Sequence, residues 1–188
     1  GSAIIMELAR HFAQNSPGRT LRFIWCGSEE LGLRGSFAHV REQESDPDAI
    51  KLVLNVDVAG GILGRNRAVV TGPDSLKHYV DVMSRCTGVA FTTKQDVYSS
   101  DSIPFAEQGI PSLNIMRFGA PIHNRHDRAE YLCPERLEEL GRFALRFLSD
   151  VDAARVFPFE REIPDDVKKK LDKYFQRVRG ENDGEEKG

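Results

Sequence analysis

Phe23-Ile24-Trp25-Cys26-Gly27-Ser28-Glu29-Glu30-Leu31-Gly32-Leu33-Arg34-Gly35-Ser36 is the stretch on which the reading of this chain turns. The apolar run over residues 20–26 reads as a buried strand that breaks at Gly27. Two adjacent carboxylates and a glycine-framed turn follow. A helical pattern then resumes, with Ser36 as a cap for a helix to about residue 44. Strand, acidic pair, turn, helix is the order in which an α/β protein presents reactive groups at the carboxyl end of a strand. Two neighbouring carboxylates at a strand end need solvent or a bound cation to satisfy them. With a cation, one serves as ligand while the other stays free as a base.

Outward from this stretch, strands and helices alternate. Residues 1–14 carry Ile4, Ile5, Leu8 and Phe12 at helical spacing, and Asn15-Ser16-Pro17-Gly18 stops that helix. Residues 50–58 form a second apolar strand, with Asp57 at its carboxyl end, and residues 67–71 and 89–93 are further strand candidates. Between those two lies a helix to about Cys86 that buries Leu76, Tyr79, Val80 and Met83. Residues 103–107 predict a short helix and residues 112–116 a strand. A loop over residues 117–130 then holds Ile122-His123-Asn124-Arg125-His126-Asp127. Residues 134–148 form an amphipathic helix, residues 149–162 are irregular with Phe157-Pro158-Phe159 packing back, and residues 164–179 form a last helix. One domain, residues 1–179, and a disordered acidic tail, residues 180–188, follow from this pattern.

Composition narrows the function classes. Hydrophobic residues at 40% and charged residues at 29% describe a globular chain. The formal net charge of −3, with no basic stripe interleaved with aromatics, argues against nucleic acid as a partner. No apolar run has the length of a membrane span, and no signal-peptide pattern opens the chain. Three scattered cysteines, Cys26, Cys86 and Cys133, fit neither a disulfide framework nor a thiolate zinc site and read as buried free thiols.

The chemistry-bearing residues form an ordered set: Glu29 and Glu30, Asp57 and His123, each at or just beyond a predicted strand end. Carboxylate and imidazole ligands suit zinc in a site that keeps a position open for water. Zinc lowers the pKa of its water toward ~7 and polarises a carbonyl, and a free glutamate moves the proton. Asp101 either caps the helix of residues 103–107 or faces the substrate site. Asp127 is placed to orient His123, and His126 and His39 read as solvent-facing.

At these residues the chain resembles the M28 zinc aminopeptidases. Cys26 to Ser36 is similar to the family's Glu-Glu segment, which implies Glu29 as general base and Glu30 as zinc ligand. Asn55-Val56-Asp57-Val58-Ala59-Gly60 is similar to the strand end that supplies an aspartate ligand. Ser100-Asp101-Ser102-Ile103-Pro104-Phe105 with Gly109-Ile110-Pro111 resembles the Ser-Asp-His…Phe…Gly-Ile-Pro block, with Ser102 where histidine is common. His123-Asn124-Arg125-His126-Asp127 matches a His-x-x-x-Asp segment whose histidine binds zinc. The resemblance implies a three-layer α/β/α sandwich with a mixed sheet, two zinc ions in the intact site, and a peptide substrate. It also implies that the first strands, a His-x-Asp and a bridging aspartate lie outside these 188 residues, in a removed segment or another chain. Glu30 and His123 would then share one ion and Asp57 would belong to the other. Two other readings start from the same residues. Glutaminyl cyclases resemble this family and use one zinc, and some receptor domains keep the fold without catalysis.

Overall fold

A computed structural model describes residues 1–42, 49–119 and 122–185. Four strands, β1 (Val53–Val56), β2 (Arg65–Thr71), β3 (Phe91–Gln95) and β4 (Ser112–Phe118), form one sheet in the order β1-β4-β2-β3. β1 runs parallel to β4, β2 antiparallel to β4, and β3 parallel to β2, so the sheet is mixed. The carboxyl ends of β1 and β4 therefore share one edge with the amino ends of β2 and β3. That edge receives Asp57, which follows β1, and the loop that follows β4.

Side chains alternate across the sheet; helices bury one face, while the other is left exposed at Arg65, Arg67, Thr92 and Lys94 of β2 and β3. On one face Val56, Ala68, Val70, Leu113 and Ile115 pack with α1 (Ser2–Asn15), α3 (Asp74–Thr87) and α5 (Pro134–Ala153). Ile4 and Leu8 of α1, Leu76, Val80 and Met83 of α3, and Leu140, Phe143 and Phe147 of α5 fill this core. Phe159 joins it, so the Phe157-Pro158-Phe159 segment does pack back. The second core contains Leu33 beside α2 (Arg34–Glu42), Ile103 and Ala106 of α4 (Ile103–Glu107), and Val167, Leu171 and Phe175 of α6 (Asp165–Glu185). The expected three-layer α/β/α arrangement with a mixed sheet is the fold observed. Among the described residues no helix is long and apolar enough to cross a membrane.

Several boundaries differ from expectation for physical reasons. Residues 20–26 are not a strand. Among the described residues the edge of β1 away from β4 carries no strand, so this apolar run has no ladder to take its N–H and C=O groups. Trp25 stands half exposed instead of buried. β2 starts earlier and β4 ends later than hydrophobicity suggests, because the pairs Arg65↔Phe118, Asn66↔Arg117 and Arg67↔Met116 extend the antiparallel ladder into polar sequence. α6 runs to Glu185, into the expected tail, while residues 186–188 lie outside the described residues. So do residues 43–48, which include the expected end of α2 and the polar turn after it. His39 is not on a solvated face: its ring lies 5.9 Å from Phe105, and its Nε2 is buried with no hydrogen-bond partner among the described residues. The cysteines are free, but none is buried: Cys26 and Cys133 are half-buried and Cys86 is exposed.

Candidate metal-dependent active site

Glu29 and Glu30 are presented by a tight, left-handed turn. Ser28 enters it at φ 56°, Glu29–Leu31 make one 3-10 turn, and Gly32 and Leu33 leave it at φ 91° and φ 57°. The Glu29 carbonyl accepts both the Gly32 and Leu33 amides, at 3.1 and 2.8 Å, and the Gly35 amide donates to Gly27 O at 3.0 Å. Gly35 has to be glycine, since a Cβ there would stand 2.4 Å from Gly27 O. Ser28 and Leu33, on either side of the two carboxylates, are held in the sparsely populated left-handed region, which costs of order 1–3 kcal/mol per non-glycine residue.

Asp57 is delivered by β1. Its amide donates to Ile115 O at 3.1 Å, and its Oδ1 accepts the Val58 amide at 2.8 Å. Val58 has φ 38°, and its carbonyl accepts the Arg117 amide at 2.8 Å, so the strand end is locked to β4. His123, in the loop after β4, is likewise left-handed at φ 59°. Its Nδ1 lies 3.4 Å from Glu30 Oε1, with both side chains mostly exposed. Left-handed non-glycine residues therefore mark all three motifs: Ser28 before Glu29, Val58 after Asp57, and His123 itself.

Asp101 does not cap α4, whose N-cap is Ser102 and which has no side-chain cap bond. It lies instead against the Cys26 thiol and the Ser36 hydroxyl, and its Oδ1 is buried with no hydrogen-bond partner among the described residues. Burial, followed by the charge of Asp101 and a hydrogen bond to it, pushes the Cys26 thiol up to about 11. Nearby, Asn114 bridges the strands: its Nδ2 donates to Ser100 Oγ at 2.9 Å and its Oδ1 accepts Asn55 Nδ2 at 3.3 Å. Asp127 is exposed and, among the described residues, makes no hydrogen bond to His123; its amide donates to Asn124 O. His126 faces solvent, as expected.

These carboxylates feel one another. Burial, then the charges of Glu30, Asp57 and Asp101, push the Glu29 carboxyl above its ordinary value, while His123 pulls it down. Asp57 is also raised, by burial first, against the Val58 amide, with Asp101 and Glu30 adding to the rise. Asp101 is raised by burial alone.

The family model for peptidase family M28 matches residues 1–148. The chain belongs to peptidase family M28. Aminopeptidase YwaD of Bacillus subtilis is 30% identical over 155 residues, covering 75% of this chain and 34% of that protein. Leucine aminopeptidase 1 of Aspergillus oryzae is 26% identical over 171 residues, 78% of this chain and 44% of that one. The crystal structure of a zinc aminopeptidase from Bacillus subtilis superposes with a TM-score of 0.65 at 27% identity, covering 86% of this chain and 43% of that one. The M28 chain described here thus spans less than half the length of these relatives.

Zinc fits the donors of this M28 chain in part. Two ligands at about 2.0–2.1 Å from a tetrahedral ion stand about 3.3 Å apart, close to the 3.4 Å between His123 Nδ1 and Glu30 Oε1. Among the described residues, however, no three His, Cys, Asp or Glu side chains converge tightly enough to hold an ion. Two neighbours that shape the edge are not marked in the sequence. Tyr98 lies within reach of Asp57, Glu29 and Arg67, and Arg117 is buried where a loop was expected. No local motif marks either one, because the strand register brings them there.

Proposed function

We propose that this chain carries the general base and part of the ligand set of a zinc-dependent aminopeptidase. The gathering of Glu29, Glu30, Asp57, Asp101 and His123 on one sheet edge supports it most directly. Aminopeptidases among the relatives add to that support. Bound zinc would supply Lewis acidity, polarising a peptide carbonyl and acidifying a water. Glu30 and His123 would hold one ion and Asp57 a second, with the remaining donors supplied from outside these residues. The negative edge draws in a peptide's protonated amino terminus. Glu29, with its raised pKa, takes a proton from the attacking water and returns it to the leaving amine. Asp101, with one oxygen unpartnered, either receives the substrate amine or steadies the Glu29 turn through Ser36, while Asp127 keeps only a loop-shaping role.

The test is Glu29→Gln in the full-length parent protein. It should retain zinc while kcat on a leucine anilide falls about 10²–10⁴-fold, the usual contribution of a general base. A parent that hydrolyses no amino-terminal anilide, or a Glu29→Gln variant with unchanged kcat, would overturn the reading.

A further inference from the structure

Beside the acidic edge lies a cavity of about 140 Å³ lined by Arg67, Val69, Lys94, Val97, Tyr98 and Met116. Its position follows from the sheet. Arg67 is the register partner of Met116, while Asp57 follows Val56, the partner of Ile115. Arg67 and Asp57 therefore share one edge two strands apart, about 10 Å at the usual strand spacing. A single amino-acid residue with an extended side chain spans that gap.

The floor and walls differ in chemistry. Val69, Val97 and Met116 are apolar and suit methylene groups, whereas Arg67 and Lys94 are exposed cations. The Arg67 guanidinium is held 4.4 Å from the centroid of the Phe118 ring, which orients it without neutralising it. Asp96, also in the lining, is occupied by Lys170 at 2.9 Å. The cavity therefore keeps a positive surplus directly beside a negative edge. Tyr98 stands between the two: after burial, the charges of Asp57 and Glu29 push its phenol up and that of Arg67 pulls it down.

We propose that this cavity is the subsite for a substrate carboxylate, with Arg67 as its principal partner and Lys94 as its second. The preferred substrates are peptides that carry a carboxylate one residue's reach from the scissile bond. The carboxylate is either the side chain of an acidic first residue or the main-chain terminus of a very short peptide. An amino group at the acidic edge and a carboxylate at Arg67 match the two charges of such a ligand. The placement rests on the aminopeptidase reading above, since that reading puts the substrate amine at the acidic edge.

The experiment uses the full-length parent with zinc, and compares glutamyl anilide, leucyl anilide and leucylglycine for the wild type, Arg67→Gln and Lys94→Gln. A charge-assisted contact implies at least about a tenfold preference in kcat/KM over leucyl anilide for the carboxylate substrate. Glutamyl anilide identifies the side chain as its source and leucylglycine the main chain. Arg67→Gln should cut that ratio at least tenfold, mainly through KM, and Lys94→Gln should cut it less, with thermal melting confirming folded protein. A ratio near one in the wild type, or one unmoved by Arg67→Gln, overturns the subsite. If the parent hydrolyses none of the three, the aminopeptidase reading fails separately, and calorimetry with free glutamate, leucine and leucylglycine still reads the cavity. Tighter binding of glutamate or leucylglycine than of leucine, lost in Arg67→Gln, supports the subsite; equal binding of all three contradicts it.

Discussion

Arg117→Met should destabilise the protein by about 3 kcal/mol and loosen the segment that follows Asp57. Arg117 is buried on β4. Its Nε donates to Gly61 O at 2.6 Å, its Nη1 to Asn66 Oδ1 at 2.9 Å, and its Nη2 to Ile62 O at 3.4 Å. Asn66 in turn donates to Glu139 Oε1 at 3.0 Å, so the guanidinium links the loop after β1 to α5 through β2. The Cys133 amide pins the same loop by donating to Gly60 O at 2.7 Å. Hydrogen bonds to a charged group contribute about 1.5–3 kcal/mol each, and methionine fills similar volume while leaving two short bonds unmade. Part of that is returned, because the cation no longer has to be desolvated, which leaves about 3 kcal/mol. Urea denaturation gives the stability, and amide exchange at Gly61 and Ile62 gives the local effect, expected to quicken more than at Val70. The coupling with Asn66→Ala should be about 1 kcal/mol. A loss below about 1 kcal/mol with unchanged exchange would refute the reasoning and mean that burying the cation costs what its contacts return.

Other perturbations read different parts of the fold. Burial alone would raise Asp96, but the Lys170 ammonium at 2.9 Å and the Val97 amide hold it below its ordinary value. A depressed carboxylate stabilises above its unfolded pKa and loses that contribution as pH falls through the folded value. Lys170→Met should thus cost up to about 1 kcal/mol near pH 7 and almost nothing near pH 2; melting curves across that range check it. Phe143→Ala removes a ring that is fully buried and 4.4 Å from the Phe91 centroid, and should cost about 3–5 kcal/mol in urea denaturation. Tyr79→Phe loses the 2.7 Å hydrogen bond to Asp150 but keeps the packing on Phe147 and Phe159. It should cost about 1 kcal/mol, since Arg146 still pairs Asp150 at 2.8 Å.

Local pattern carried much of the fold. α1, α3 and α5 were legible because Ile4, Leu8 and Phe12, then Leu76, Val80 and Met83, then Leu140, Ala144 and Phe147 repeat at the helical period and are buried. Residues 20–26 misled because apolar content measures a wish for burial, whereas a strand also needs a partner. Arg65, Asn66 and Arg117 entered the sheet against their polarity, since a neighbouring ladder and the Glu139 network satisfy them. At the edge, Glu29, Glu30, Asp57 and His123 were legible as an ordered set, and they lie near enough to feel one another's charge, though among the described residues no three converge on one ion. Asp101 beside Cys26, and Arg67 beside Tyr98, were not, because the antiparallel register of β2 on β4 is written in no single segment.

Zinc content of the full-length parent, counted by elemental analysis for the wild type, Glu30→Gln, Asp57→Asn and His123→Ala, tests the central claim. Two ions per wild-type chain are expected, with the loss of about one in each variant and folding retained. A wild type without zinc, or three variants that all keep the full complement, would contradict it.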